Sequence, residues 1–172
     1  VRVERVPSWS GDVLVVVPPL QPLAVLVGER PAPKWDGRPE TQLTGTAFRR
    51  LARAMFTGFS NSWGRYLVTL CRCNALGRPG DRWGKKETAE ARDRGAAIRD
   101  WAGARQLPVV ALGRRAADAL GLDLLPFRVG HMSLALPHPS GRCREWNAPN
   151  AWPQAGESFR VLLGLSRPQG TI

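Results

Sequence analysis

Leu23-Ala-Val-Leu-Val-Gly28 is an unbroken apolar run that ends in glycine and passes at once into Glu29-Arg30-Pro31. A strand with one wet face alternates apolar and polar residues, whereas a short continuous run suits a strand covered on both faces. Similar runs recur at Tyr66-Leu-Val-Thr-Leu-Cys71, Leu107-Pro-Val-Val-Ala-Leu-Gly113 and Met132-Ser-Leu-Ala-Leu136. Between them lie Ala/Arg-rich stretches with helical spacing, which place helices over residues 46–55, 86–105, 114–120 and 157–163. Strands alternating with helices predict an α/β fold, a three-layer α/β/α sandwich around a mainly parallel, four-stranded sheet.

Working outward, residues 1–22 hold Val13 to Val17 and then Pro18, Pro19 and Pro22, which reads as an extended, peripheral N-terminal arm. Residues 23–172 then form a single domain. A length of 172 residues with 43% hydrophobic and 23% charged residues suits one compact core without staples. Residues 74–85, with Gly77, Pro79, Gly80 and Gly84, read as a polar loop between strand and helix.

A formal charge of +11 points to a polyanionic partner, and nucleic acid leads. Lysine occurs only at 34, 85 and 86, so the other 22 basic residues are arginine, whose planar fork suits phosphate. No apolar run approaches the roughly 18 residues of a membrane span. The odd cysteine count, Cys71, Cys73 and Cys143, predicts a soluble protein in a reducing, cytoplasmic compartment.

Ligands of open parallel sheets bind beyond the carboxyl ends of the strands, so the residues just after each run carry the functional information. After the first run, Gly28-Glu29-Arg30-Pro31 puts backbone N–H groups and a carboxylate at the sheet edge, where they would grip a ligand carbonyl and position water. A solvated glutamate in an ordinary turn is the plainer alternative. After the fourth run, Pro137-His138-Pro139-Ser140 places a neutral imidazole donor at the same edge, suited to stabilising a leaving anion.

These segments, in register, resemble the uracil-DNA glycosylase superfamily. Gly28-Glu-Arg-Pro-Ala is similar to its first motif, Gly45-Thr-Ala-Phe-Arg-Arg-Leu51 to its Gly-x-Ala-Gly-x-Leu piece, and Val109-Val-Ala-Leu-Gly-Arg-Arg-Ala116 to its Val-Ala-Leu-Gly-x-x-Ala segment. Tyr66-Leu-Val-Thr-Leu-Cys-Arg-Cys73 resembles its second strand, and His138-Pro-Ser140 its closing motif.

The resemblance implies a monofunctional, monomeric DNA glycosylase that cleaves the N-glycosidic bond of a flipped-out or single-stranded base. Its roles fall on His138 as hydrogen-bond donor to the departing base and on Glu29, with Asp36 in reserve, for water or the sugar cation. Gly28, Arg30, Pro31 and Leu43 or Trp35 would contact the base. Ser140, Gly141, Arg142, Arg144 and Trp146 would form the loop that presses into DNA, with Arg142 and Arg144 on phosphates, and Arg72, Lys85 and Lys86 would add further DNA contacts; Trp146 packing on the core is the other reading.

The uracil-specific pattern has asparagine at the end of the second strand, and counting back from Arg72-Cys73 puts Thr69 there. One hydroxyl cannot supply a paired donor and acceptor, so a uracil-like or modified base, a cytosine derivative among the latter, is the expected target, in repair or anti-phage defence. Asn74, by this register, falls outside the pocket. Too few cysteines remain for the iron–sulfur cluster of one branch, so no metal or cofactor is expected. A non-catalytic DNA-binding relative is the alternative function. A dinucleotide enzyme is disfavoured by the missing glycine spacing.

Overall fold

The computed structural model describes residues 1–31, 35–74, 76–78, 82–140 and 143–166. Its strands are β1 (Arg2–Val6), β2 (Val13–Val17), β3 (Ala24–Val27), β4 (Leu70–Cys73), β5 (Val109–Leu112), β6 (Val129–Gly130) and β7 (Ser133–Leu136). They form one seven-stranded sheet in the order β1-β2-β4-β3-β5-β7-β6. The central four, β4-β3-β5-β7, are parallel, and the outer pairings are antiparallel. The mainly parallel sheet holds, with seven strands instead of four.

Every residue of β3, β5 and β7 is buried, as the unbroken apolar sequences of β3 and β5 require; in β7 the one polar residue is Ser133. Val25, Val27, Val109 and Ala111 face the layer of α3 (Lys85–Ala104) and α4 (Arg114–Ala119). Ala24, Leu26, Val110, Leu112 and Leu134 face the layer of α1 (Thr46–Met55), α2 (Ser62–Thr69) and α5 (Ala151–Ser166). The two-residue side-chain period of each strand thus feeds two cores. No described helix is long and apolar enough to cross a membrane.

The N-terminal segment is not a peripheral arm. β1 and β2 pair as a hairpin, and β2 joins the sheet through Val16 opposite Arg72 of β4. Val13 and Val15 are fully buried against the α3 side, which is worth about 1.5 kcal/mol or more per side chain over exposure. Polar ties fasten the hairpin to α3: Ser10 donates to Asp93 Oδ2 at 2.6 Å, Trp101 Nε1 donates to Glu4 Oε2 at 2.9 Å, and Arg94 Nη2 donates to the Ser10 carbonyl at 2.9 Å. Each bond spans more than eighty residues of sequence, which is why no local signal announced it.

The run 66–71 divides between two elements. Residues up to Thr69 are the end of α2, and the strand begins at Leu70. The Asn61 side chain caps this helix by accepting from the Gly64 N–H at 2.9 Å. Tyr66 is fully buried, stacks on Trp63 at 5.0 Å and donates its hydroxyl to the Leu43 carbonyl at 2.7 Å. Capping and packing outweigh the strand propensity of Tyr-Leu-Val-Thr. Register follows: Leu70 lies beside Ala24 and Cys73 beside Val27.

Candidate active site

The site is built at the carboxyl ends of β3, β5 and β7. The Gly28 N–H donates to the Cys73 carbonyl and the Gly113 N–H to the Leu136 carbonyl, both at 2.8 Å, so the loops leave the sheet from one level. Gly113, at φ +102°, lies between the two predicted reactive side chains. A methyl group there would sit 2.5 Å from Glu29 Oε1 and 3.3 Å from His138 Cβ. Only glycine admits both the backbone angle and this crowding. Glu29 and His138 therefore converge over β5, 109 positions apart in sequence and together in space.

His138 is held by three neighbours, two on its ring and one on its backbone. The Ser140 amide donates to Nδ1 at 3.2 Å, the Trp146 indole N–H donates to the His138 carbonyl at 2.8 Å, and the Phe48 ring meets the imidazole edge-on with centroids 6.3 Å apart. A nitrogen that accepts an amide proton carries a lone pair, so the imidazole is neutral with its proton on Nε2. Burial pushes its pKa below the ordinary 6.5, and the charge of Glu29 opposes that shift. The result is a neutral N–H donor in the cleft at physiological pH.

Two cavities meet at this pair. One, of about 640 Å³, is lined by Arg30, Pro31, Trp35, Asp36, Leu43 and Asn74 among others. The second, of about 780 Å³, runs past Arg114, Arg115 and the apolar wall of Leu122 and Leu124. Among the described residues Glu29 and His138 alone line both. A ligand filling both chambers would cross between them at these side chains.

In the smaller chamber Leu43 is a buried wall residue at φ +54°, an uncommon angle for leucine, secured by the Tyr66 hydroxyl on its carbonyl. Trp35 donates its indole N–H to Thr41 Oγ1 at 2.8 Å. Asp36 is exposed at the rim and bound to Arg38, whose backbone and side-chain N–H groups lower its pKa. Arg38 engages that carboxylate at 2.8 Å, so Glu29, without an ion-pair partner among the described residues, is the better placed carboxylate.

Thr69 is not in the site. As the last residue of α2 it stands at the amino end of β4, and its hydroxyl donates to the Arg65 carbonyl at 2.6 Å. Asn74 is in the site, contrary to the expected register. Its side chain packs so closely on Gly28 that a methyl group there would overlap Asn74 Oδ1 and come within 2.8 Å of Leu43. The Asn74 N–H donates to Gln42 Oε1 at 2.8 Å, while its own Oδ1 is buried without a partner. A buried acceptor left unpaired is costly unless a ligand completes it.

Other expected contacts fall elsewhere. Arg72 is buried and donates from Nη1 to the carbonyls of Glu40 and Gln42 at 3.1 and 2.8 Å, so it braces the loop under the pocket and cannot reach a phosphate. Trp146 is buried too, stacked on Trp152 at 4.0 Å, which makes it a support for His138 and not a DNA wedge. Arg144 is exposed in a short 3₁₀ turn, and Lys85 and Lys86 are exposed at the start of α3. Gly141 and Arg142 lie outside the described residues. Cys71 and Cys73 are buried in β4, and burial raises the Cys71 thiol to about 12. Among the described residues no three His, Cys, Asp or Glu side chains gather to hold a metal ion.

Sequence reasoning missed Asn74, Phe48 and Gly113 as parts of the site. The signal for two of them was present: Asn74 and Gly113 each follow directly on a strand, and the misplaced start of β4 hid the first.

No family model matches the chain, and no curated protein matches it. Among solved structures, an α/β serine hydrolase without lid from Xanthomonas campestris is similar, with a TM-score of 0.40 and 18% identity, over 82% of this chain and 62% of that one. The chain thus spans about 62% of the length of that structure. The expected membership of the uracil-DNA glycosylase superfamily is corrected by these comparisons: no family model and no curated protein of that superfamily matches the chain. A likeness at this level transfers no activity in its place. The sequence contains no Gly-x-Ser-x-Gly, the turn that presents a hydrolase serine.

Proposed function

We propose that the cleft hydrolyses the N-glycosidic bond between a nucleobase and its sugar in DNA, leaving an abasic site. The observation that carries this reading is the placement of Glu29 and His138 over Gly113, where the two cavities join. In such a reaction the C–N bond breaks with its electron pair leaving on the base, while a water oxygen bonds to the sugar carbon. An enzyme must therefore donate to the departing anion and hold water on the opposite side.

Neutral His138 supplies the donor from Nε2, a contribution of about 3 kcal/mol for comparable donors to developing anions. The Glu29 carboxylate orients the water and takes its proton. The chamber of Leu43 and Phe48 takes the base, and the Asn74 amide, whose Oδ1 is unpaired, reads its edge with one donor and one acceptor. The second chamber takes the sugar and its flanking phosphates beside exposed Arg114 and Arg115.

The test is strand scission by alkali after incubation with oligonucleotides that each carry one candidate base, unmodified or modified. Scission that is lost in Glu29→Gln and reduced about a hundredfold or more in His138→Ala supports the proposal. Binding without scission across the panel would favour a protein that holds a nucleobase without cleaving it.

A further inference from the structure

The α1–α2 surface carries Arg49, Arg50, Arg53 and Arg65, all exposed. Three of these guanidinium groups lie over aromatic rings: Arg49 at 4.6 Å from the centre of Trp63, Arg50 at 4.4 Å from Trp152 and Arg65 at 3.9 Å from Phe59. A guanidinium flat on a ring spends its face on the π-system and keeps its edge N–H groups for other partners.

Among the described residues no carboxylate forms an ion pair with this face. Residues 41–80 contain no Asp or Glu, and none of the ion pairs among the described residues uses these four arginines. Arginines of the α3 layer differ: Arg92 pairs with Asp118 at 3.1 Å and Arg105 with Glu4 at 2.9 Å. The α1–α2 face therefore carries four exposed arginines with no ion-pair partner among the described residues. Phe59, 48% exposed, adds an uncovered aromatic surface there.

This face begins at the rim of the cleft. Phe48, next to Arg49, meets His138 edge-on, and Trp152 beneath Arg50 stacks on Trp146, whose indole N–H holds the His138 carbonyl. From these observations we propose that the α1–α2 face is a track for the sugar-phosphate backbone of the DNA strand whose base occupies the cleft. The guanidinium edges bind successive phosphates. The proposal rests on the reading of the cleft as a nucleobase site, but its test reads binding and not turnover, so that the two fail separately.

The test is fluorescence anisotropy with a labelled oligonucleotide of unmodified bases, titrated with KCl. The Arg49→Gln/Arg53→Gln/Arg65→Gln variant is expected to bind about tenfold or more weakly, and its slope of log affinity against log salt to fall by about 2, close to 0.7–0.9 per lost phosphate contact. His138→Ala is expected to keep the wild-type slope. A control with equal charge loss, Arg5→Gln/Arg92→Gln/Arg99→Gln on the hairpin and the α3 layer, is expected to keep it too.

An unchanged slope in the first variant, or an equal fall in the control, overturns the proposal. So does equal, arginine-dependent binding to vesicles of anionic phospholipid, since the surface would then be reading a membrane. Arg53→Gln alone, which disturbs no ring contact, serves if the triple variant misfolds, and is expected to lower the slope by about 0.7–0.9.

Discussion

The Ser140 amide donates to His138 Nδ1 at 3.2 Å, and this one contact decides the protonation state of the cleft. A protonated imidazole has two N–H groups and no acceptor, so it could not hold this bond. The proton of the neutral ring is thereby committed to Nε2, the atom left to meet a ligand.

A first prediction concerns pH. Burial lowers the His138 pKa from 6.5, so as pH falls the unfolded chain takes up its proton first. The stability linked to this residue is fully present above the unfolded value of 6.5 and is lost as pH falls through the lower folded value. Nitrogen chemical shifts of the imidazole are expected to report the Nε2–H tautomer at neutral pH, with a midpoint below 6.5. Turnover should fall on the acid side at the same midpoint. A midpoint above 6.5 would refute the assignment.

Gly113→Ala is expected to abolish turnover while the protein still folds. The new methyl group would crowd Glu29 Oε1 and His138 Cβ at an angle, φ +102°, that L-residues rarely adopt. A stability loss of about 1–3 kcal/mol for such strain should appear in urea denaturation. Wild-type activity in this variant would show that the two side chains are not held as described.

Asn74 and Thr69 should separate cleanly. Asn74→Ala removes the buried amide beside Gly28 and is expected to change which base is accepted and to cut activity by about tenfold or more. Thr69→Val loses only a helical back-bond to Arg65 and is expected to leave base preference intact. A panel of oligonucleotides measured with both variants checks this, and a reversal of the two outcomes would restore Thr69 to the site.

Arg72→Met should act on stability and not on DNA. The buried guanidinium satisfies the Glu40 and Gln42 carbonyls, and leaving such acceptors unpaired costs about 1–3 kcal/mol. Chemical denaturation should show this loss, with the salt dependence of DNA binding unchanged.

Val15→Ala tests the hairpin. A peripheral arm would tolerate the change, whereas a fully buried valine in the sheet should lose about 1–2 kcal/mol for its two deleted methyl groups. Denaturation midpoints of the two proteins decide between these.

What the sequence determined by itself was the parallel centre of the sheet and the places where chemistry can sit. Runs such as Ala24–Val27 and Val109–Leu112 are apolar at every position because helices cover both faces, a local pattern with one structural solution. Glu29 and His138 were legible because a parallel sheet gathers the residues that follow its strands at one edge. Only the tertiary structure decided the rest. Residues 13–17 became sheet through contacts with β4 and α3, Tyr66 became helix because its ring and hydroxyl found the core, and that change moved Thr69 out of the site and Asn74 into it. Arg72 and Trp146 carry side chains that serve equally on a surface or under a loop, and burial against partners remote in sequence, not residue type, assigned them to support.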